Sequence, residues 1–113
     1  MKLAHEGVIL AGLKPIMRQA LLASERVMKR YKKELVITCG LDGVHSAGSL
    51  HYYGYAIDIR CNYLKDEGQK SGAALLIRNM LPEDYDVVYE KTHIHIEYDP
   101  EDEGLQHDMG FIA

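Results

Sequence analysis

Over 13–31, apolar side chains recur every three or four positions: Leu13, Ile16, Met17, Ala20, Leu21, Val27, Met28 and Tyr31, with small Ser24 filling the remaining step of the stripe. That period predicts an amphipathic helix, opened by Pro15 in its first turn and closed by Lys29, Arg30, Lys32 and Lys33, which suit the negative end of its dipole. The period then changes. Residues 35–39 form a β-branched run stopped by Gly40, and 55–60 and 93–98 alternate apolar with polar residues, so each reads as a strand. A second helical stripe, Ala73, Leu76, Ile77 and Met80, predicts a helix over 69–81 that Pro82 ends. The stretch 86–90 completes a hairpin with 93–98 around Lys91-Thr92. The predicted order is helix, strand, strand, helix, hairpin: an α+β domain with a mainly antiparallel sheet and both helices packed on one face.

Strand alternation also sorts the polar residues. Ala56, Asp58 and Arg60 fall on one face and Tyr55, Ile57 and Ile59 on the other; His93, His95 and Glu97 oppose Ile94, Ile96 and Tyr98. If Lys91-Thr92 is a two-residue turn, Glu90 lies opposite His93 on the histidine face, although the pair lacks the glycine or asparagine such turns favour. Between the strands, 40–53 is a long loop with three glycines, two serines and two histidines, and such loops are more often functional than idle. Gly54 allows a left-handed turn that brings His51 back toward Asp58.

Composition narrows the field. With 113 residues and 47% hydrophobic content the chain is expected to form a single domain over 1–113, its core at about 8–99 and an acidic tail at 100–113. A net charge of −4 argues against nucleic acid, which calls for clustered Lys and Arg. No apolar run approaches the ~20 residues that span a bilayer, so no membrane insertion is expected. The first residues lack a signal-peptide core, so synthesis in the cytoplasm without export is expected. Cys39 and Cys61 are too few for a disulfide framework and read as free thiols, a bridge between them remaining the alternative.

The candidate chemistry is metal chemistry. A catalytic zinc takes three ligands from His, Asp, Glu and Cys and keeps a fourth position for water, whose proton a nearby carboxylate must accept. His51, Asp58 and His95 can supply the ligands and Glu90 the base, with His93 as the alternative base or its partner. His45, in the same loop, is either a substrate contact or a loop donor. Ser49 is a loop hydrogen-bonding or substrate residue rather than a nucleophile, since no Ser-His-acid arrangement is apparent. Tyr52, Tyr53 and Tyr55 either line a peptide groove or pack. Arg60 either binds a substrate carboxylate or pairs with an acid on a neighbouring strand.

The segments Ser49-Leu50-His51-Tyr52-Tyr53-Gly54-Tyr55-Ala56-Ile57-Asp58 and His93-Ile94-His95 together resemble the signature of the zinc peptidases of the lysostaphin, D-alanyl-D-alanine peptidase and hedgehog group, Ser-x-His-x-x-Gly-x-Ala-x-Asp followed by His-x-His. Ile37-Thr38-Cys39-Gly40 and Tyr85-Asp86-Val87-Val88 look like its short phage and prophage members, and the resemblance covers about 34–98. It implies a hedgehog/DD-peptidase-like fold, Zn²⁺ bound by His51, Asp58 and His95, His93 lining the site, and an upstream acid as base. It implies hydrolysis of peptidoglycan stem peptides, either at a terminal D-Ala-D-Ala bond or between L-Ala and D-Glu, by a monomer that reaches the cell wall after lysis or release. The alternative is a non-catalytic zinc-containing binding module or virion component with the same fold.

Overall fold

A computed structural model of the chain describes residues 1–42 and 54–99. The first helical stripe folds as a 3-10 turn, Pro15–Met17, running into helix α1, Arg18–Arg30. Pro15 suits the start because its φ is preset and a helix start leaves its first N–H groups unpaired in any case. Ala20, Ala23, Ser24, Val27 and Met28 make the buried face. The helix stops in a Schellman arrangement: Lys32 N–H donates to the Lys29 carbonyl and Lys33 N–H to the Met28 carbonyl, each at 2.9 Å. The residue that must turn left-handed there is Lys32, at φ 61°.

Helix α2, Glu67–Met80, is capped by Asp66, whose carboxylate accepts from Gln69 N–H at 2.9 Å, while the Gln69 side chain reaches back to Lys65 N–H at 2.9 Å. Leu81 is extended (φ −111°, ψ 151°), as a residue before proline tends to be. One expectation is corrected. Ala73, Ala74 and Ile77 are the buried residues of α2, whereas Leu76 is only partly buried and Met80 is exposed. At 100° per residue the buried sector centres between Ala73 and Ala74, which puts Leu76 and Met80 at its rim.

The sheet runs β1 (Lys2–Leu3), β2 (Val36–Cys39), β3 (Ala56–Arg60), β5 (His93–Tyr98), β4 (Tyr85–Glu90) in spatial order. β1 lies parallel to β2 and the other pairs are antiparallel. The sheet is therefore mixed, and it takes in Lys2 and Leu3 at its edge. A two-residue strand is too short to show a period in the sequence. Ile37 pairs with Ile59, Ile57 with Ile96, Ile59 with Ile94 and Val87 with Ile96. These residues share one core with the buried faces of α1 and α2. Both helices thus cover one face of the sheet. Among the described residues no helix is long and apolar enough to cross a membrane.

Two local devices position the other face. Lys91-Thr92 is a two-residue connection with Glu90 paired to His93, yet neither residue takes a positive φ, so the turn is not of the primed kind. Cys61 holds it instead: its N–H donates to the Thr92 carbonyl at 3.1 Å and its thiol to the Glu90 and Lys91 carbonyls at 3.7 and 3.9 Å. Both cysteines are free. The second device is the segment 9–14. Leu41 N–H donates to the Ile9 carbonyl at 2.8 Å, Ile9 N–H to Asp42 Oδ1 at 2.9 Å, and Lys14 N–H to the Gly54 carbonyl at 2.9 Å. The chain on either side of 43–53 is thereby held to one short stretch. Gly54 has φ 80°, and a Cβ there would lie 2.3 Å from the Gly12 carbonyl oxygen.

The two left-handed positions should respond oppositely to substitution. Lys32→Gly removes a side chain from an unfavourable conformation and should stabilise the fold by about 1 kcal/mol. Gly54→Ala adds both a left-handed penalty and a clash, and should destabilise it by about 2 kcal/mol or more. Urea unfolding midpoints of the two variants check this, and a Gly54→Ala midpoint equal to that of the parent would contradict the close approach of Gly54 to Gly12.

Candidate metal centre

The register of the sheet assembles the polar face. Across β3 and β5, Asp58 stands opposite His95, Arg60 opposite His93 and Ala56 opposite Glu97. Across β5 and β4, His93 faces Glu90 and Glu97 faces Asp86. Directly opposed residues share a face, so Asp58, His93, His95, Glu90, Glu97 and Arg60 all project from the side away from the helices. Ala56 is fully buried and contributes only a methyl group.

His95 lies between two carboxylates. Its Nδ1 is 2.9 Å from Asp58 Oδ1 and its Nε2 is 2.7 Å from Glu97 Oε1. Burial opposes a positive charge on this ring, but the hydrogen bonds to Asp58 and Glu97 and their negative charges outweigh it and raise the imidazole to about 9. His93 sits one step along: Nε2 is 2.6 Å from Glu90 Oε1 and 3.9 Å from Asp58 Oδ2, and Nδ1 is 3.2 Å from the Thr92 hydroxyl. With Nε2–H donating to Glu90, Nδ1 accepts from Thr92. Glu90 is the most exposed member of the group, at 52%, against 14% for Asp58.

The donor set suits a divalent ion. Two ligand atoms on one tetrahedral zinc lie about 3.3 Å apart, given metal–ligand distances near 2.0–2.1 Å, and Asp58 Oδ1 and His95 Nδ1 already stand 2.9 Å apart. A carboxylate oxygen and an imidazole nitrogen thus lie within reach of one ion, and a hydrogen bond joins them in the metal-free chain. Cys39, paired with Asp58 across β2 and β3, donates its thiol to the Asp42 carbonyl at 3.3 Å, and burial, then the charges of Asp42 and Asp58, push it up to about 12. A second group, Asp86, Glu97 and Asp99, brings carboxylate oxygens within 4.8 Å of one another and could also hold a cation, though more openly.

Of the residues singled out by sequence, Asp58, Glu90, His93 and His95 come together. Arg60 stands on the same face opposite His93 and makes no ion pair among the described residues. Tyr55 packs, its ring centroid 6.2 Å from that of Tyr98. His45, Ser49, His51, Tyr52 and Tyr53 lie outside the described residues, as does the tail 100–113. Glu97 is the residue that sequence reasoning placed on the right face without giving it a role; its spacing from His93 and His95 was the available signal. Compared with known proteins, the chain matches no family model and no curated protein.

The His95 environment sets a pH dependence for the metal-free protein. The folded value of about 9 lies above the ordinary 6.5, so the stabilisation is full below about pH 6.5 and is lost as pH rises through 9. A metal ion bound through the same ring would compete with that proton, so any such binding would strengthen over the same interval. Denaturant titrations of chelator-treated protein at pH 6.5 and 9.5, with His95→Asn as reference, measure it. An equal pH dependence in His95→Asn would contradict the assignment.

Proposed function

We propose that this chain is a zinc metallopeptidase of the lysostaphin, D-alanyl-D-alanine peptidase and hedgehog group, hydrolysing peptidoglycan stem peptides. The observation that carries the reading is the pairing of Asp58 with His95 at 2.9 Å beside a Glu90–His93 pair at 2.6 Å, all on one sheet face. It agrees with the spacing of the signature from Ser49 to Asp58 and at His93 and His95. Asp58 and His95, with His51, are the residues that would hold the ion. Bound zinc supplies Lewis acidity toward the scissile carbonyl and brings the pKa of a water to about 7.

The protein's own groups do the rest. Glu90 accepts a proton from the attacking water and delivers it to the departing amine, and its exposure leaves it open to both. His93, held by Glu90 at Nε2 and by Thr92 at Nδ1, can turn its Nε2–H to the oxygen on which negative charge develops once Glu90 has taken up the proton of the water and no longer needs that donor. Arg60, opposite His93 and without an ion pair among the described residues, would bind a substrate carboxylate in this reading. The biological setting this reading favours is a phage or prophage lysis enzyme acting on the wall after release.

Two measurements test it. Purified protein should bind about one zinc per chain, and His51→Ala, Asp58→Ala and His95→Ala should each strongly reduce it. Zinc-loaded protein should release new amine ends or free D-alanine from purified peptidoglycan, with fragment masses identifying the bond. Glu90→Gln should lower turnover by a factor on the order of 10² or more while retaining zinc. Full zinc loading without hydrolysis of any peptidoglycan type would replace the enzyme with a binding module.

A further inference from the structure

We propose that Glu97 is a positioning residue of this centre: its carboxylate accepts a hydrogen bond from His95 Nε2–H and so keeps Nδ1 as the atom presented beside Asp58. The inference rests on the zinc reading above. Glu97 lies two residues beyond His95 on β5, on the same face by strand alternation, and its Oε1 is 2.7 Å from Nε2. The opposite ring nitrogen is 2.9 Å from Asp58 Oδ1. An imidazole that gives one nitrogen to a metal carries its proton on the other, and the partner of that proton decides which nitrogen ligates. With Nδ1 given to the metal, Nε2–H needs an acceptor, and among the described residues Glu97 stands at hydrogen-bond distance from it.

The surroundings leave Glu97 free for this task. Across β3 it faces Ala56, whose methyl group offers no competing donor. Its other close neighbours, Asp86 and Asp99, are acids, which when ionised have no proton to give. Among the described residues its side chain forms one hydrogen bond, the one to His95. Turning the ring over would aim carbon at this carboxylate and withdraw Nδ1 from Asp58, so Glu97 holds the ring against that flip. This is a role in orientation and ligand basicity, with no contact to substrate.

The test uses the full chain, stripped of metal and titrated with zinc against a chromophoric chelator near pH 7.5. Glu97→Ala should bind zinc about 10- to 100-fold more weakly, the usual cost of removing such a partner. Glu97→Gln, which keeps an acceptor oxygen, should recover part of that loss. Asp84→Asn, which removes a charge next to Asp99 without touching the ring or either ligand group, should bind like the parent. In nitrogen-edited spectra of zinc-loaded protein the His95 Nε2–H resonance should be visible in the parent and exchange-broadened in Glu97→Ala. Parent-like affinity in folded Glu97→Ala overturns the proposal while leaving the zinc reading intact. An equal loss in Asp84→Asn also overturns it, since the cause would then be the general negative field. Should Glu97→Ala not fold, the parent spectrum decides, because a proton on Nδ1 with metal on Nε2 overturns the assignment. A parent protein that binds no zinc overturns both readings.

Discussion

The pairing of β3 with β5 is the constraint on which the rest depends, because one register serves both the core and the site. Ile57 and Ile59 meet Ile96 and Ile94 on the helix side, and the same alignment sets Asp58 against His95 and Arg60 against His93 on the other. A slip by one residue would exchange the faces. Four isoleucines would lose burial worth roughly 2 kcal/mol each, together comparable with the whole stability of a small domain. The apolar residues thus hold the polar ones in register, and the geometry of the site follows from the energetics of the core.

The supports around that register are local and act through the backbone. Cys61 braces the Lys91-Thr92 turn by donating to its carbonyls, which keeps Glu90 beside His93 although neither turn residue adopts the conformation of a preferred hairpin. The 9–14 stretch ties Leu41 and Asp42 on one side and Gly54 on the other, and the approach at Gly54 is so close that only a missing side chain permits it. Asp42 accepts two backbone N–H groups, from Ile9 and Gly40, and those bonds hold its carboxyl below the usual range despite partial burial.

Electrostatically the face is one-sided. Asp58, Glu90, Glu97, Asp86 and Asp99 crowd one side of a five-stranded sheet, and the imidazoles of His93 and His95 lie among them. Like charges at this density oppose folding unless a proton or a cation intervenes, and in metal-free protein the His95 ring provides that compensation. A divalent cation at the same place would do so more strongly and over a wider pH range. The carboxylates repel one another while the fold gathers them, an arrangement that favours a positive charge among them.

Much of this was legible from periodicity alone. The 3.6-residue stripe beginning at Leu13 and the alternation in Tyr55 to Arg60 and His93 to Tyr98 are local properties, and burial on one side of each element makes them visible without knowledge of neighbours. The sharing of a face by His93, His95 and Glu97 follows from the same alternation. What the sequence could not supply was anything decided between segments. That Met80 sits at the rim of α2 depends on how closely Ala73 and Ala74 approach the core. That Lys2 and Leu3 join the sheet depends on β2 offering a free edge, since two residues carry no period of their own. That Glu97 reaches His95 rather than solvent depends on side-chain geometry among three strands, with Ala56 on one side and Asp86 on the other. Local chemistry determined which residues could stand together; the register of β3 against β5, set by isoleucines on the opposite face, decided which of them do.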